Sequence, residues 1–224
     1  TIGTKARTVF VNNNNVFRNQ RITQNFNNIL PFSTIRYKFS ENKSLDIRYT
    51  TSSQNPTISQ LQPVFDNSNP NFINIGNPNL LPTFSHGINL NFNSWKSVSG
   101  KYTWAGLTYN YTNNDIATAT SYDSIGRTVS QAINVNGNYN INGYIGTSMP
   151  FFSKKLEVGP NLWASYSENK SIINSKENKT QDIRSNLNLE FRLNLEKVEA
   201  ALSGYYSYNS AYSSLNVTSS TPYS

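Results

Sequence analysis

Apolar and polar residues alternate one by one over long stretches of this chain. The clearest stretch covers residues 181–194. Its apolar positions are Ile183, Leu187, Leu189, Phe191 and Leu193, joined by Ser185, and its polar positions are Asp182, Arg184, Asn186, Asn188, Glu190 and Arg192. A strand places successive side chains on opposite faces, so a period of two predicts a long strand with one apolar and one polar face.

The same alternation recurs in other parts of the sequence. It is strong at residues 134–151, 156–166, 88–93 and 45–49, and weaker near 28–39, 101–112 and 198–208. The chain is therefore predicted to be all-β, with about ten antiparallel strands that each have a wet face and an apolar face.

The predicted connections between these strands have two lengths. Short turns are expected at residues 40–43, 96–100, 153–155 and 194–197, and long polar loops at 52–84, 112–127 and 168–179. An antiparallel meander gives this alternation when all its short turns lie at one end, as in transmembrane β-barrels with short periplasmic turns and long external loops. Strands of about ten residues tilted by about 40° would span the apolar band of such a barrel, roughly 25 Å tall. Because lipid cannot pair a free strand edge, such a sheet must close.

Composition favours a sheet with two different faces and argues against an ordinary soluble globular domain. Hydrophobic residues are 36% of the chain, below the roughly 45–50% of ordinary globular domains. The 14 Tyr and 12 Phe argue against disorder. The absence of cysteine excludes a disulfide scaffold and a thiol nucleophile. The net charge of +7 comes from scattered Lys and Arg rather than a basic run, so no nucleic-acid partner is predicted.

Aromatic residues gather near the predicted strand ends. Barrels carry aromatic girdles where they cross the two membrane interfaces, whereas a soluble sandwich would use the same residues as core. The girdle interpretation is preferred, and its candidates are Tyr37, Phe39, Phe92, Trp95, Phe151 and Phe152.

Charged residues on the polar strand faces are predicted to point into the barrel lumen. Two roles stay open for them: contact with a plug domain or ligand, or mutual pairing and hydration. The residues are Arg36, Asp46, Arg48, Asp182, Arg184, Glu190 and Arg192.

A proline-rich segment differs from the rest of the chain. It runs from Gln54 to His86 and contains Gln54-Asn55-Pro56, then Gln60-Leu61-Gln62-Pro63, then Asp66-Asn67-Ser68-Asn69-Pro70, then Gly76-Asn77-Pro78-Asn79-Leu80-Leu81-Pro82. Its five prolines exclude a central strand and favour ordered turns. This order of motifs, embedded between alternating strands over residues 29–113, resembles the barrel of TonB-dependent outer-membrane receptors, in the outer-membrane β-barrel family. Asn55 and Thr83 stand where that pattern usually has Arg and Glu.

The resemblance implies a barrel in the cell outer membrane that imports a nutrient with energy delivered through TonB. Residues 1–224 would be part of a single barrel domain, with the plug and the remaining strands absent. Implied partners are outer-membrane lipid, the TonB complex acting through the missing plug, and an unknown small-molecule or oligomeric nutrient. Ligand contacts are expected in the external loop 52–84, with Phe65 and Phe72 as candidates.

Catalysis has few candidate groups in this sequence. His86, beside Ser85 at the start of a strand, is the only histidine, and without cysteine or a second histidine a zinc site would need unusual ligands. No enzymatic activity, cofactor or metal site is predicted. Two alternatives to an importer remain: a non-transporting outer-membrane surface or adhesin barrel, and a soluble secreted β-sandwich binding module whose apolar faces would pack on each other.

Overall fold

The computed structural model describes residues 1–15, 20–62 and 65–214. Within these residues thirteen strands belong to one sheet, and one helical turn lies outside it. In chain order the elements are β1 (Ile2–Asn15), β2 (Gln20–Ser40), β3 (Lys43–Gln54), α1 (Ile58–Leu61), β4 (Phe65–Asn69), β5 (Phe72–Ile75), β6 (Thr83–Lys96), β7 (Lys101–Asn113), β8 (Asp115–Tyr122), β9 (Thr128–Val135), β10 (Asn138–Phe151), β11 (Leu156–Ile173), β12 (Lys176–Leu195) and β13 (Val198–Ser213).

Nine of the described strands form a continuous antiparallel wall. Its order is β1-β2-β3-β6-β7-β10-β11-β12-β13, and every neighbouring pair is antiparallel. Four short turns, at residues 41–42, 97–100, 152–155 and 196–197, join these strands at one end, as predicted. In the described residues the wall does not close, because β1 pairs only with β2 and β13 only with β12.

The strand register gives the wall two chemically different faces. Direct cross-strand partners share a face, so Ile47, Leu90, Leu107, Gly143 and Ala164 form one row across five strands. The neighbouring row, on the opposite face, is Asp46, Asn91, Gly106, Tyr144 and Trp163. We call the first the outer face and the second the inner face.

The outer face has no second sheet packed against it in the described structure. The only buried hydrophobic residues of this part of the chain are Phe26, Leu61 and Leu80, whereas Ile35, Leu107, Ile145 and Leu187 are exposed. A soluble sandwich would bury such residues between two sheets. The sandwich alternative is therefore wrong, and the all-β antiparallel prediction is confirmed.

Aromatic residues band the outer face near both ends. At the short-turn end Tyr37 and Phe39 pack edge to face with ring centroids 4.7 Å apart, and the Lys43 ammonium lies 5.0 Å from the Phe39 centroid. At the other end Tyr139 lies between Tyr109 and Tyr166. Tyr139 and Phe151 lie at opposite ends of β10. With a rise of ~3.3 Å per residue and a strand tilt of ~40°, they are about 30 Å apart along the barrel axis.

Two of the predicted girdle residues do not lie on the outer face of a strand. Trp95 shares the inner face with Asn91 and Asn93, because it is an even number of residues from both on β6 and pairs with Tyr102. Phe152 lies in the turn after β10 and has a positive φ of 50°. Tyr37, Phe39, Phe92 and Phe151 lie on the outer face, where the alternation placed them.

Several predicted boundaries were wrong at the long-loop end. The strand expected over 134–151 is broken at Gly137, which has a φ of 89°, so β9 ends and β10 begins there. The loop expected at 168–179 is instead a continuation of β11 and β12 through a two-residue turn in which Asn174 and Ser175 have positive φ. The segment 112–127 contains β8, and 52–84 contains α1, β4 and β5. The strand β1 was not predicted.

The long loops add their own strands to the sheet. Along the chain, β8 and β9 follow β7 and precede β10, and they form a hairpin. β5 pairs with β9 in parallel, residues 72–75 with residues 128–131. The end of β11 also pairs in parallel with β8. The long connections at this end therefore form an ordered extension of the wall.

Because the chain contains no cysteine, its two ends can be distinguished by single-cysteine labelling. Asn79→Cys, in the exposed part of the loop 55–82, should react with a membrane-impermeant maleimide on intact cells. Lys154→Cys, in the turn 152–155, should react only after the outer membrane is permeabilised, because short turns face the periplasm. Equal labelling of both variants on intact cells would contradict this orientation.

Candidate functional site

The loop 55–82 has a small hydrophobic core of its own. Leu61 and Leu80 have exposed fractions of 0% and 2%, and Val11, Ile116 and Ala132 pack against them from β1, β8 and β9. The helical turn α1 begins with a capping box, in which Thr57 Oγ1 accepts from Gln60 N–H and Gln60 Oε1 accepts from Thr57 N–H. The loop is thus a folded unit fixed to three strands.

The Gly76-Asn77-Pro78 sequence has a clear physical role in this unit. A Cβ on Gly76 would lie 1.8 Å from the carbonyl oxygen of Gln62, so only glycine fits. The Asn77 N–H donates to Gln60 O at 2.6 Å, and Asn77 Nδ2 donates to Ala132 O at 3.0 Å. The motif therefore joins the two halves of the loop and attaches them to β9.

Polar side chains of neighbouring strands hold the rest of the loop. Asn134 Oδ1 accepts from Leu81 N–H at 2.8 Å, and its Nδ2 donates to Leu81 O at 3.0 Å. Gln24 Nε2 donates to Pro78 O, and Gln62 Nε2 donates to Asn13 Oδ1. Gln24 is on the face of β2 that carries Arg36, and Val11 pairs directly with Gln24. The loop therefore folds over the inner face of β1 and β2.

A solvent-open cavity of about 550 Å³ lies where this loop rejoins the wall. Amides supply much of its polar surface, and Asn134 and Asn136 brace the adjoining backbone through bonds to Asn114. The lining residues are Asn28, Leu81, Pro82, Phe84, Asn113, Asn114 and Asn136. The cavity has no charged lining residue, so it suits a neutral polar group.

The two ligand candidates from the sequence occupy neighbouring strands of the extension. The backbone of Phe65 begins β4, but its side chain lies outside what the structure describes. Phe72 begins β5 with an exposed fraction of 56% and pairs with Thr128, which pairs in turn with Tyr122. Sequence reasoning missed the exposed Tyr122 and Ile125, because it placed 112–127 in a long polar loop.

The tip of the β8–β9 hairpin is held by one carboxylate. Asp123 Oδ1 accepts from the backbone N–H groups of Ile125 and Arg127, and Oδ2 accepts from Arg127 Nε at 2.6 Å. The hydrogen bond from the Arg127 guanidinium holds the pKa of Asp123 below its ordinary value, although partial burial opposes the shift. The tip therefore presents Ile125 on a defined turn.

The charges predicted to face the lumen all lie on the inner face, and most are paired. Arg36 pairs with Asp46, Arg184 with Asp182, and Arg192 with Glu190 and Glu157. Arg48 is exposed and makes no ion pair within the described residues. These ion pairs agree with the role in which the lumen charges pair with one another. Contact of these residues with a plug or a ligand stays a prediction. Solvent-exposed pairs of this kind contribute at most about 1 kcal/mol each.

Leu80→Ala should loosen the loop without unfolding the wall. Removing a fully buried leucine costs about 2–5 kcal/mol, and the core of this loop is only a few residues. We expect amide protection in residues 55–82 to fall by about 30-fold or more in hydrogen-exchange mass spectrometry, while β6 and β7 keep theirs. Leu81→Ala is the matched control, since Leu81 is 53% exposed. Equal loss of protection in both variants would rule out this core.

The described residues contain neither a metal-binding cluster nor a membrane-spanning helix. No group of three or more His, Asp and Glu side chains there could hold a metal ion. Over the same part of the chain, no helix has the length and apolarity to cross a membrane.

Comparison with known proteins gives one result. The sequence matches the Outer membrane protein beta-barrel family over residues 1–224. No curated protein matches it.

Proposed function

We propose that this chain, which belongs to the outer membrane protein beta-barrel family, forms part of the wall of a TonB-dependent receptor that imports a nutrient. Membership places the chain in the outer membrane, and lipid is the partner proposed for its apolar outer face. The finer proposal is that residues 1–224 are part of one barrel domain completed by further strands and a plug. It includes no enzymatic step.

The observation that carries this proposal is the inward fold of the loop 55–82. The loop covers the inner face of β1 and β2 through Val11, Asn13 and Gln24. A fixed loop on the inner face narrows the passage at its external end, and loops held on a rigid scaffold are common sites of ligand recognition. The polar inner face below it supplies a wet path.

The deciding experiment measures binding of the periplasmic domain of TonB to the full-length gene product that contains this chain. A receptor should bind it saturably in detergent, by surface plasmon resonance, and more tightly when its nutrient is present. A second sample truncated to residues 1–224 is the control, because the coupling segment would precede the barrel. Absence of binding to the full-length protein would overturn the import proposal.

A non-transporting adhesin barrel is the second candidate. It is favoured by the β8–β9 hairpin, whose tip exposes Tyr122 and Ile125 on a turn fixed by Asp123. Apolar side chains held on a rigid projection suit attachment to another surface. This candidate predicts no TonB binding, so the same experiment separates the two.

A further inference from the structure

All three tryptophans of the chain lie on the inner face of the wall. Trp95, Trp104 and Trp163 pair across the sheet with Tyr102, Gly146 and Tyr144, and these rows also contain Asn91 and Asn93. Tryptophan in membrane proteins is usually enriched at the lipid interfaces. Here Tyr, Phe and His occupy the outer bands, so the inward tryptophans have a different role.

These tryptophans share neighbouring rows of the inner face with two tyrosines. Trp95 and Tyr102 have ring centroids 6.4 Å apart, and Tyr102 stacks on Trp104 at 5.3 Å. Tyr144 follows in the next row and pairs directly with Trp163. We call Trp95, Tyr102, Trp104, Tyr144 and Trp163 the aromatic strip, which crosses β6, β7, β10 and β11.

Two rings of the strip lie close over glycines of the neighbouring strands. A Cβ on Gly106 would lie 2.4 Å from Cζ of Tyr144, and a Cβ on Gly146 would lie 2.4 Å from Cε2 of Trp104. Each ring therefore lies over the glycine opposite it. Tyr144 and Trp163 remain 39% and 38% exposed, so the strip presents aromatic surface to the lumen.

The strip lies in a part of the inner face whose one charged residue, Glu157 on β11, pairs with Arg192. Every inner position of β6, β7 and β10 is uncharged, whereas β3 and β12 on either side carry Asp46, Arg48, Asp182 and Arg184. A site for an anion or cation would place opposite charges beside the rings. This surface instead fits an uncharged ligand.

Amides flank the rings and provide hydrogen-bonding groups of both kinds. Tyr144 Oη donates to Asn91 Oδ1 at 3.0 Å, and Tyr102 Oη donates to Asn93 Oδ1 at 2.8 Å. Each of these asparagines also has an NH₂ group, and the tyrosine oxygens can accept. Asn161 on β11 and Asn188 on β12 extend the row that contains Asn93 and Trp104.

We propose that the aromatic strip binds a neutral, polyhydroxylated ligand, an oligosaccharide. The faces of sugar rings carry C–H hydrogens that suit the electron-rich face of an aromatic ring, and their hydroxyls match alternating amide donors and acceptors. The strip is several rings long, so it suits a chain of sugars better than a single one. This inference names the nutrient class of the proposed importer and rests on that function.

The test is isothermal titration calorimetry on the full-length protein in detergent. The probes are maltohexaose, cellohexaose and xylohexaose, each up to about 10 mM, with hexagalacturonate as the charged comparison. We expect saturable binding of at least one neutral probe and none of the charged one. Absence of binding by all three neutral probes, or preference for the charged one, would overturn the proposal.

Two variants separate recognition from structure. Trp163→Ala removes an exposed ring that covers no glycine and should weaken binding about tenfold or more. Phe32→Ala is the control: Phe32 is also an inner-face aromatic residue, but it lies on β2, two strands from β6 and outside the rows of the strip. It should leave the affinity within about twofold. Heat-modifiable gel migration should be unchanged in both, and equal binding by wild type and Trp163→Ala would exclude the strip as the site.

A plug domain covering the strip is the competing occupant. In that case acrylamide would fail to quench the tryptophans in the full-length protein and would quench them after removal of the plug, which would overturn the proposal. The two proposals also fail separately. TonB binding without oligosaccharide binding would exclude this nutrient class alone, whereas oligosaccharide binding without TonB binding would leave a sugar-binding barrel that does not import.

Discussion

Gly146→Ala should destabilise the barrel by about 1–3 kcal/mol, because the new methyl group overlaps the Trp104 ring. Its Cβ would lie 2.4 Å from both Cε2 and Cζ2 of that ring, and the ring can leave only by losing its contact with the sheet. Urea unfolding of the folded barrel in detergent, followed by heat-modifiable gel migration, measures the effect. We expect an earlier midpoint with little change in slope.

Gly143→Ala is the matched control on the same strand. Its Cβ would meet Leu107 Cδ1 at 3.7 Å, an ordinary contact, and alanine restricts the unfolded chain more than glycine does. This variant should therefore be neutral or slightly stabilising. A double variant, Gly146→Ala with Trp104→Ala, should recover part of the loss, because the overlap is removed. If the two glycine variants were equally destabilised, the Trp104 contact would not be the cause.

The alternation of the sequence predicts the wall well for a physical reason. Each strand separates lipid from water, so Leu187 and Asn188 are forced to opposite faces and the period of two is strict. Trp95 follows the same rule, because it is separated by an even number of residues from Asn91 and Asn93 on β6 and therefore lies on their face. Its girdle prediction was wrong because closeness to a strand end was given more weight than its face.

The loop 55–82 was predictable only in part. Its prolines favour turns, although the short strands β4 and β5 fit between them, and Gly76 and Asn77 belong to a recognisable motif. Its core depends on contacts of Leu61 and Leu80 with Val11, Ile116 and Ala132, which are far apart in the chain. No local pattern encodes such contacts, so the inward fold of the loop was not predicted.

The missed strand β1 shows the limit of the periodic signal. Its outer positions include Ile2 and Phe10, but also Thr4 and Thr8, while Val9 and Val11 are on the inner face. Val11 is apolar there because the loop core covers it. Where a loop replaces water on the inner face, the contrast between faces weakens, and the alternation no longer identifies the strand.

Leu107→Arg should largely abolish assembly of the full-length protein in the outer membrane. Leu107 lies on the outer face of β7, in the row of Leu90 and Gly143, midway between the aromatic bands. An arginine on the lipid face near the bilayer centre costs about 2–4 kcal/mol, a large part of the stability of a typical domain. The measurement is the amount of heat-modifiable protein recovered in the outer-membrane fraction.

Thr108→Arg, one residue further along β7, is the matched control for Leu107→Arg. Thr108 lies on the inner face, where its hydroxyl donates to Asn89 Oδ1, so arginine there stays hydrated and loses one surface hydrogen bond. We expect assembly close to wild type. Because the two positions share a strand, a depth and a substituted residue, only the medium on each side differs. The reverse ranking would place water on the Leu107 side and refute the assignment of both faces.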